Sequence, residues 1–216
     1  MNAFLRRALR RGLEAVGLYA PYTLMTRGPF KDDGWLRSLA ERAPVDAAGH
    51  PVPWLTYPAI EFLSRRVRPG MRVFEYGCGH STLWWAARVN EVISCEHERA
   101  WLERIRTRSP SNVTLRHVPL VYGGDYSRTA AEYPSGIDIL VIDGRDRVNC
   151  AIYAVDALKP GGVIVWDNSD RPEYGPGCEH LARAGFRRVE FVGLYPTLNE
   201  KGETSVFYRD GNVLGL

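Results

Sequence analysis

The residues that could do chemistry fall in three short segments. The first is Glu75-Tyr76-Gly77-Cys78-Gly79-His80-Ser81-Thr82. Its two glycines follow an apolar run and precede a helical stretch. That arrangement lets the backbone turn tightly and approach a ligand, and the free N–H groups of the helix start suit a carboxylate or phosphate. A dinucleotide turn also asks for a third glycine three residues after the second, for close helix–strand packing. Thr82 stands there, which disfavours a pyrophosphate. The second segment is Glu96, directly after Val92-Ile93-Ser94-Cys95. A carboxylate at this place can accept both hydroxyls of a ribose, or it can cap the helix that begins near His97.

The third group is split between Asp143-Gly144-Arg145-Asp146-Arg147 and Asp167-Asn168-Ser169-Asp170-Arg171, each following an apolar run. Asp143, Asp167 and Asn168 are hard oxygen donors of the kind that hold Mg²⁺ or Ca²⁺. The alternative is that Asp143 and Asp167 cap helices and orient a ligand. Should the chemistry need a base, His80, His180, Asp146 and Asp170 are further candidates. Asp146, Arg147, Asp170 and Arg171 also read as a charged rim able to grip a polar or anionic substrate. Trp54, Tyr57, Trp84 and Trp85 read mostly as core, with Trp54-Leu55-Thr56-Tyr57 placed to form a lid.

These segments need a scaffold, and the hydrophobic pattern supplies one. Short apolar runs at Arg72–Tyr76, Glu91–Cys95, Val113–His117, Ile137–Ile142 and Gly162–Trp166 alternate with helical stretches at Ser81–Arg88, His97–Arg106 and Arg147–Leu158. Runs apolar on both faces indicate a parallel sheet covered on both sides. Right-handed connections make it a doubly wound α/β sheet. A further helix over Tyr57 to Val67 precedes the first strand. Phe186–Val192 and Thr204–Tyr208 are joined by only eleven residues, too few for a crossover helix, so they predict a terminal antiparallel hairpin at one edge.

A chain of 216 residues fits one such domain, residues 54–216, plus an N-terminal extension over 1–53. In that extension Arg6, Arg7, Arg10 and Arg11 alternate with Phe4, Leu5, Leu9, Leu13 and Val16 at helical spacing. The pattern predicts an amphipathic helix that packs on the domain, on a second copy in a homodimer, or on an anionic membrane, with a flexible tail as the alternative. No stretch reaches the ~18 apolar residues of a membrane span. A net charge of +3, with no basic stripe interleaved with aromatics, argues against a nucleic-acid partner. Four cysteines without metal-finger spacing suggest a reducing, cytoplasmic setting, at most peripheral to the inner face of a membrane.

The order Glu75-Tyr76-Gly77-Cys78-Gly79, Glu96, Asp143-Gly144, Lys159-Pro160-Gly161-Gly162 and a terminal hairpin resembles the class I S-adenosylmethionine-dependent methyltransferases, over roughly residues 54 to 210. The resemblance implies a seven-stranded, mostly parallel sheet with its last strand inserted antiparallel. It implies S-adenosylmethionine bound by Glu75, Gly77, Cys78, Gly79, Ser81, Thr82, Glu96, His97, Asp143 and Gly144, with Gly77 and Gly79 near the methionine half. Where the family often places an acid or amide near the adenine, this chain has His117-Val118-Pro119. The Asp143 and Asp167-Asn168 spacing also resembles the small metal-dependent O-methyltransferases. That likeness implies catalytic Asp143 and Asp167, and Mg²⁺ on Asp143, Asp167 and Asn168. Those enzymes place a Lys base three residues after the first Asp, where this chain has Asp146. The resemblance therefore implies methyl transfer to a small molecule, with O-methylation favoured. A nicotinamide-dependent oxidoreductase and a non-catalytic cofactor-binding scaffold are the alternatives.

Overall fold

The computed structural model describes residues 3–216; Met1 and Asn2, at the head of the expected extension, lie outside the described residues. Seven strands form one sheet: β1 (Arg72–Tyr76), β2 (Glu91–Glu96), β3 (Val113–His117), β4 (Ile137–Ile142), β5 (Leu158–Asp167), β6 (Arg187–Leu194) and β7 (Lys201–Tyr208). Their order is β3-β2-β1-β4-β5-β7-β6. Strands β1 to β5 pair in parallel, while β7 runs antiparallel to both β5 and β6. The sheet is thus doubly wound with the last strand inserted antiparallel.

Alternation along each strand sends neighbouring side chains to opposite faces, and helices cover both. On one face Phe74, Tyr76, Ile93, Leu140, Ile142, Ile164 and Trp166 pack against Cys150, Ala151 and Leu181. Those three belong to α9 (Arg147–Ala154) and α10 (Gly175–Arg183). On the other face Val73, Val92, Ile139, Val141, Val163 and Val165 meet Ala59, Leu63, Trp84 and Trp85. These come from α5 (Tyr57–Ser64) and α6 (His80–Ala86). Every residue of β4 is buried and all but Asp138 are apolar; Asp138 accepts from Arg72 N and Lys159 Nζ, both at 2.8 Å. Helices α7 (Arg99–Arg106) and α8 (Asp125–Arg128) complete the crossovers.

Two boundaries differ from the sequence reading. α9 stops at Ala154, and after one 3₁₀ turn β5 begins at Leu158 and runs through Pro160-Gly161-Gly162. A register irregularity between Ile137 and Ile139 absorbs the proline and glycines. The terminal hairpin is also longer in its strands, leaving only Tyr195 to Glu200 as its turn.

The extension contains four helices, α1 (Ala3–Ala15), α2 (Tyr19–Thr26), α3 (Pro29–Asp32) and α4 (Trp35–Glu41). Its second half lies on the domain. Trp35 Nε1 donates to Leu198 O at 2.7 Å, and just past the extension Thr56 Oγ1 donates to Phe191 O at 2.9 Å. Its first half does not: the expected amphipathic helix forms, yet Phe4 and Val16 are 78% and 65% exposed, so the domain leaves that apolar face uncovered. No helix among the described residues is long and apolar enough to cross a membrane.

Candidate cofactor and acceptor site

In the sheet order, chain connections leave β1 toward β2 on one side and return through β4 on the other. Ligands in open α/β sheets bind at such a reversal, beyond the carboxyl ends of the strands. A cavity of about 710 Å³ opens there, with Gly77, Gly79 and Glu96 on one side and Asp143, Asp167 and Asn168 on the other. That volume lies within the range of about 300–1,000 Å³ usual for small-molecule sites.

The glycine side is built around a buried acid. Glu75 faces away from the cavity and takes hydrogen bonds from three hydroxyls: Ser81 Oγ at 2.8 Å, Ser94 Oγ at 2.7 Å and Thr82 Oγ1. Thr82 Oγ1 in turn accepts the Gly79 N–H at 2.9 Å, which fixes the turn. Burial pushes the Glu75 carboxyl up to about 7, against the pull of those hydroxyls. Gly77 has φ 91°, a left-handed conformation that favours glycine. A Cβ there would lie 3.3 Å from the Gly144 Cα, and one on Gly144 would lie 2.1 Å from the Tyr126 hydroxyl. The turn and the end of β4 are therefore pressed together without side chains between them, while at Gly79 the space stays open.

Glu96, at the end of β2, is 4% exposed. Its Oε1 accepts the His97 and Glu98 N–H groups, both at 2.7 Å, and its Oε2 accepts the Cys78 N–H at 3.2 Å. The carboxylate thus ties the glycine turn to the β2 loop, and it does not cap α7. Oε1 is filled by these two bonds, whereas Oε2 accepts only one and keeps lone-pair capacity for a ribose hydroxyl. His97 lines the same wall, and His117 Nε2 lies 3.1 Å from its carbonyl. Trp101 adds an indole whose Nε1 donates to Cys78 O at 2.6 Å.

The other side is organised by a cation. Arg147 Nη2 donates to Asp143 Oδ1 at 3.0 Å, and its Nε donates to Gly144 O at 2.9 Å. Nη1 reaches Asn168 Oδ1 at 3.3 Å and the Asp167 carbonyl, and sits 4.0 Å from Asp167 Oδ2. Thr204 Oγ1 donates to Asp167 Oδ1 at 2.8 Å, and Asn168 Nδ2 donates to the Tyr195 hydroxyl at 2.8 Å. Burial, reinforced by the charge of Asp143 and opposed by Arg147, pushes Asp167 up to about 8. Asp143 is raised by the same burial against the same guanidinium. The three oxygen donors expected to hold Mg²⁺ therefore face a resident guanidinium, and the arrangement does not fit a divalent cation. Among the described residues no group of three or more His, Cys, Asp or Glu side chains is placed to hold a metal.

The structure gathers Gly77, Cys78, Gly79, Ser81, Glu96, His97, Asp143, Gly144, Asp167 and Asn168 around one cavity, and it sets Glu75 and Thr82 behind the wall. Among the candidate bases only His80 lines it. Asp146 is committed elsewhere, accepting from Gly123 N and Asn149 Nδ2 at the start of α9. Sequence reasoning missed Arg42, Tyr195 and Leu198, which also line the cavity. Arg42 follows α4 with φ 51°, a strained conformation for arginine, but no spacing in the sequence marks it.

Residues 74–169 match a family model described as a methyltransferase domain. No curated protein sequence matches the chain. Among solved structures, precorrin-6y C5,15-methyltransferase from Geobacter metallireducens is similar with TM-score 0.56 at 15% identity, over 71% of this chain and 87% of that one. Precorrin-8w decarboxylase from Methanobacterium thermoautotrophicum gives 0.52 at 21%, over 78% and 96%. Spermidine synthase from Thermotoga maritima gives 0.56 at 14%, over 69% of this chain, which spans only 56% of that enzyme's length. At these identities the likeness to the solved structures is one of fold.

Proposed function

We propose that the chain is a class I S-adenosylmethionine-dependent methyltransferase and that it methylates a hydroxyl of a small-molecule acceptor. The observation that supports this reading is that one cavity joins the Gly77–Gly79 turn and Glu96 to a buried carboxylate of raised basicity, Asp167. When bound, S-adenosylmethionine supplies an electrophilic methyl group, so alignment of the acceptor provides much of the acceleration. Gly77 and Gly79 leave room for the methionine half, and Glu96 accepts a ribose hydroxyl. Asp167 takes the acceptor's hydroxyl proton. Its pKa near 8 suits that exchange near neutral pH, because a general base works best when its pKa is close to the operating pH. Arg147 keeps the Asp143–Asp167 pair in place and compensates their charge. In a nicotinamide enzyme the third glycine would clear the space that the buried Thr82 side chain fills here.

Isothermal titration with S-adenosylhomocysteine and with NAD tests the cofactor. Binding of the first alone is expected, lost in Glu96→Ala. Binding of NAD alone would overturn the proposal.

A further inference from the structure

Three arginines line the cavity with no carboxylate in ion-pair contact, although the charge of Arg171 acts on Asp143 from a distance. Arg145, after β4, Arg171, after β5, and Arg42, after α4, all border it. Among the described residues, none of the three side chains makes an ion pair or a hydrogen bond. Three of the four acids on the cavity wall are otherwise engaged. Asp143 and Asp167 are balanced by Arg147, Glu96 is held by three backbone N–H groups, and Glu98 lies on the glycine side.

Three like charges from three separate segments, brought to one concave surface, repel one another and are stabilised by an anion between them. Three details show that their placement is built. Arg42 is held in a left-handed conformation at φ 51°, and Arg171 is set by a turn on Asn168, itself at φ 54°, with Arg171 N donating to Asn168 O at 3.1 Å. The Arg145 backbone is anchored by its N–H on the Tyr126 hydroxyl at 3.3 Å. Guanidinium groups bind carboxylates and phosphates through paired N–H donors, so the chemistry they select is an oxyanion.

We propose that the methyl acceptor carries a carboxylate or phosphate group, which Arg145, Arg171 and Arg42 grip while its hydroxyl points to Asp167. This deepens the methyltransferase reading and rests on it for the word acceptor. It also separates the two ends of the domain. Arg42 and Arg171 lie outside residues 74–169, so the anion grip is drawn partly from segments that the methyltransferase domain model does not cover.

The test is a titration of the full chain with benzoate, phenyl phosphate and the neutral benzamide, with and without S-adenosylhomocysteine. At least tenfold tighter binding of one or both anions is expected, weakening as salt rises. Which anion wins distinguishes a carboxylate from a phosphate acceptor. Arg145→Gln and Arg171→Gln, both at exposed positions, should each reduce that preference severalfold. Equal binding of all three probes would overturn the proposal. So would variants that weaken S-adenosylhomocysteine but not 5′-methylthioadenosine, since the arginines would then serve the cofactor's own carboxylate. Failure of S-adenosylhomocysteine to bind would sink the preceding reading alone, because the anion preference is also measured without it.

Discussion

The two ends of the cavity solve the problem of buried charge in opposite ways. At the glycine end, the acids are satisfied mainly by neutral donors: Glu75 by three hydroxyls and Glu96 by three backbone N–H groups, with the His97 Nδ1 also 2.7 Å from Glu96 Oε1. At the β4–β5 end, two acids share one guanidinium, and three more guanidiniums make no ion pair or hydrogen bond among the described residues, Arg171 acting on Asp143 only from a distance. The first end is complete without its ligand and only needs room. The second is charged, and its charges are balanced partly by one another and partly by what binds. Neutral donors hold a geometry over a wide range of pH and salt, whereas a cluster of ions responds to both.

The largest effect should come from the charged end. Asp167→Asn is expected to lower turnover by about 10²–10⁴-fold, the usual worth of a positioned base. Below about 8 the wild-type rate should rise with pH as Asp167 loses its proton, and the variant's residual rate should lack that rise. A variant with unchanged turnover and pH profile would break the contrast, because the charged end would then have no part in the chemistry.

Arg147→Met tests what holds that end together. Removing one partner of a buried ion cluster typically costs about 3–5 kcal/mol, since the remaining charges are left uncompensated. Without Arg147, Asp143 and Asp167 would hold their protons to higher pH. The loss should therefore be smaller at pH 5 than at pH 8, measured by denaturant melts. An equal loss at both would mean that Arg147 acts by packing on Tyr174, whose ring centroid lies 5.5 Å from its guanidinium carbon.

The contrast also explains what the sequence made legible. The glycine end is local: Glu75, Gly77, Gly79 and Thr82 fall within eight residues, and Glu96 follows one strand later, so strand pattern and glycine spacing identify them together. The sheet was legible for the same reason, since apolar runs such as Ile137–Ile142 announce buried strands. The charged end is not local. Asp143 and Asp167 were visible as strand-end acids, but residue types alone suggested a metal. That Arg147 reaches across to Asn168, twenty-one residues on, depends on the approach of two strand ends. Arg42 comes from a segment whose docking is set by single contacts such as Trp35 to Leu198, which leave no periodic trace.

Gly77→Ala addresses the glycine end. The left-handed φ costs a residue with a Cβ about 1–2 kcal/mol, and the new atom lies close to Gly144. The affinity for S-adenosylhomocysteine should fall about tenfold or more while benzoate or phenyl phosphate still binds. Loss of both together would show that the ends are not independent.

The smallest effect, and the sharpest test of the contrast, is expected from Glu75→Gln. A carboxyl whose pKa is higher in the folded than in the unfolded chain keeps its proton longer in the native state. Its contribution to stability is therefore present at low pH and declines as pH climbs from the ordinary glutamate range to about 7, then levels off. Glutamine does not titrate, so this share of the decline should vanish in the variant. Asp167 adds its own decline up to about 8 in both proteins, and it cancels when the two are compared. Denaturant melts at pH 5 and pH 7.5 should thus show a smaller drop for Glu75→Gln than for wild type. If the two drops are equal, Glu75 is ionised in the folded protein at neutral pH. The hydroxyls of Ser81, Thr82 and Ser94 would then be compensating a full charge, and the glycine end would be no less ionic than the end that Arg147 holds.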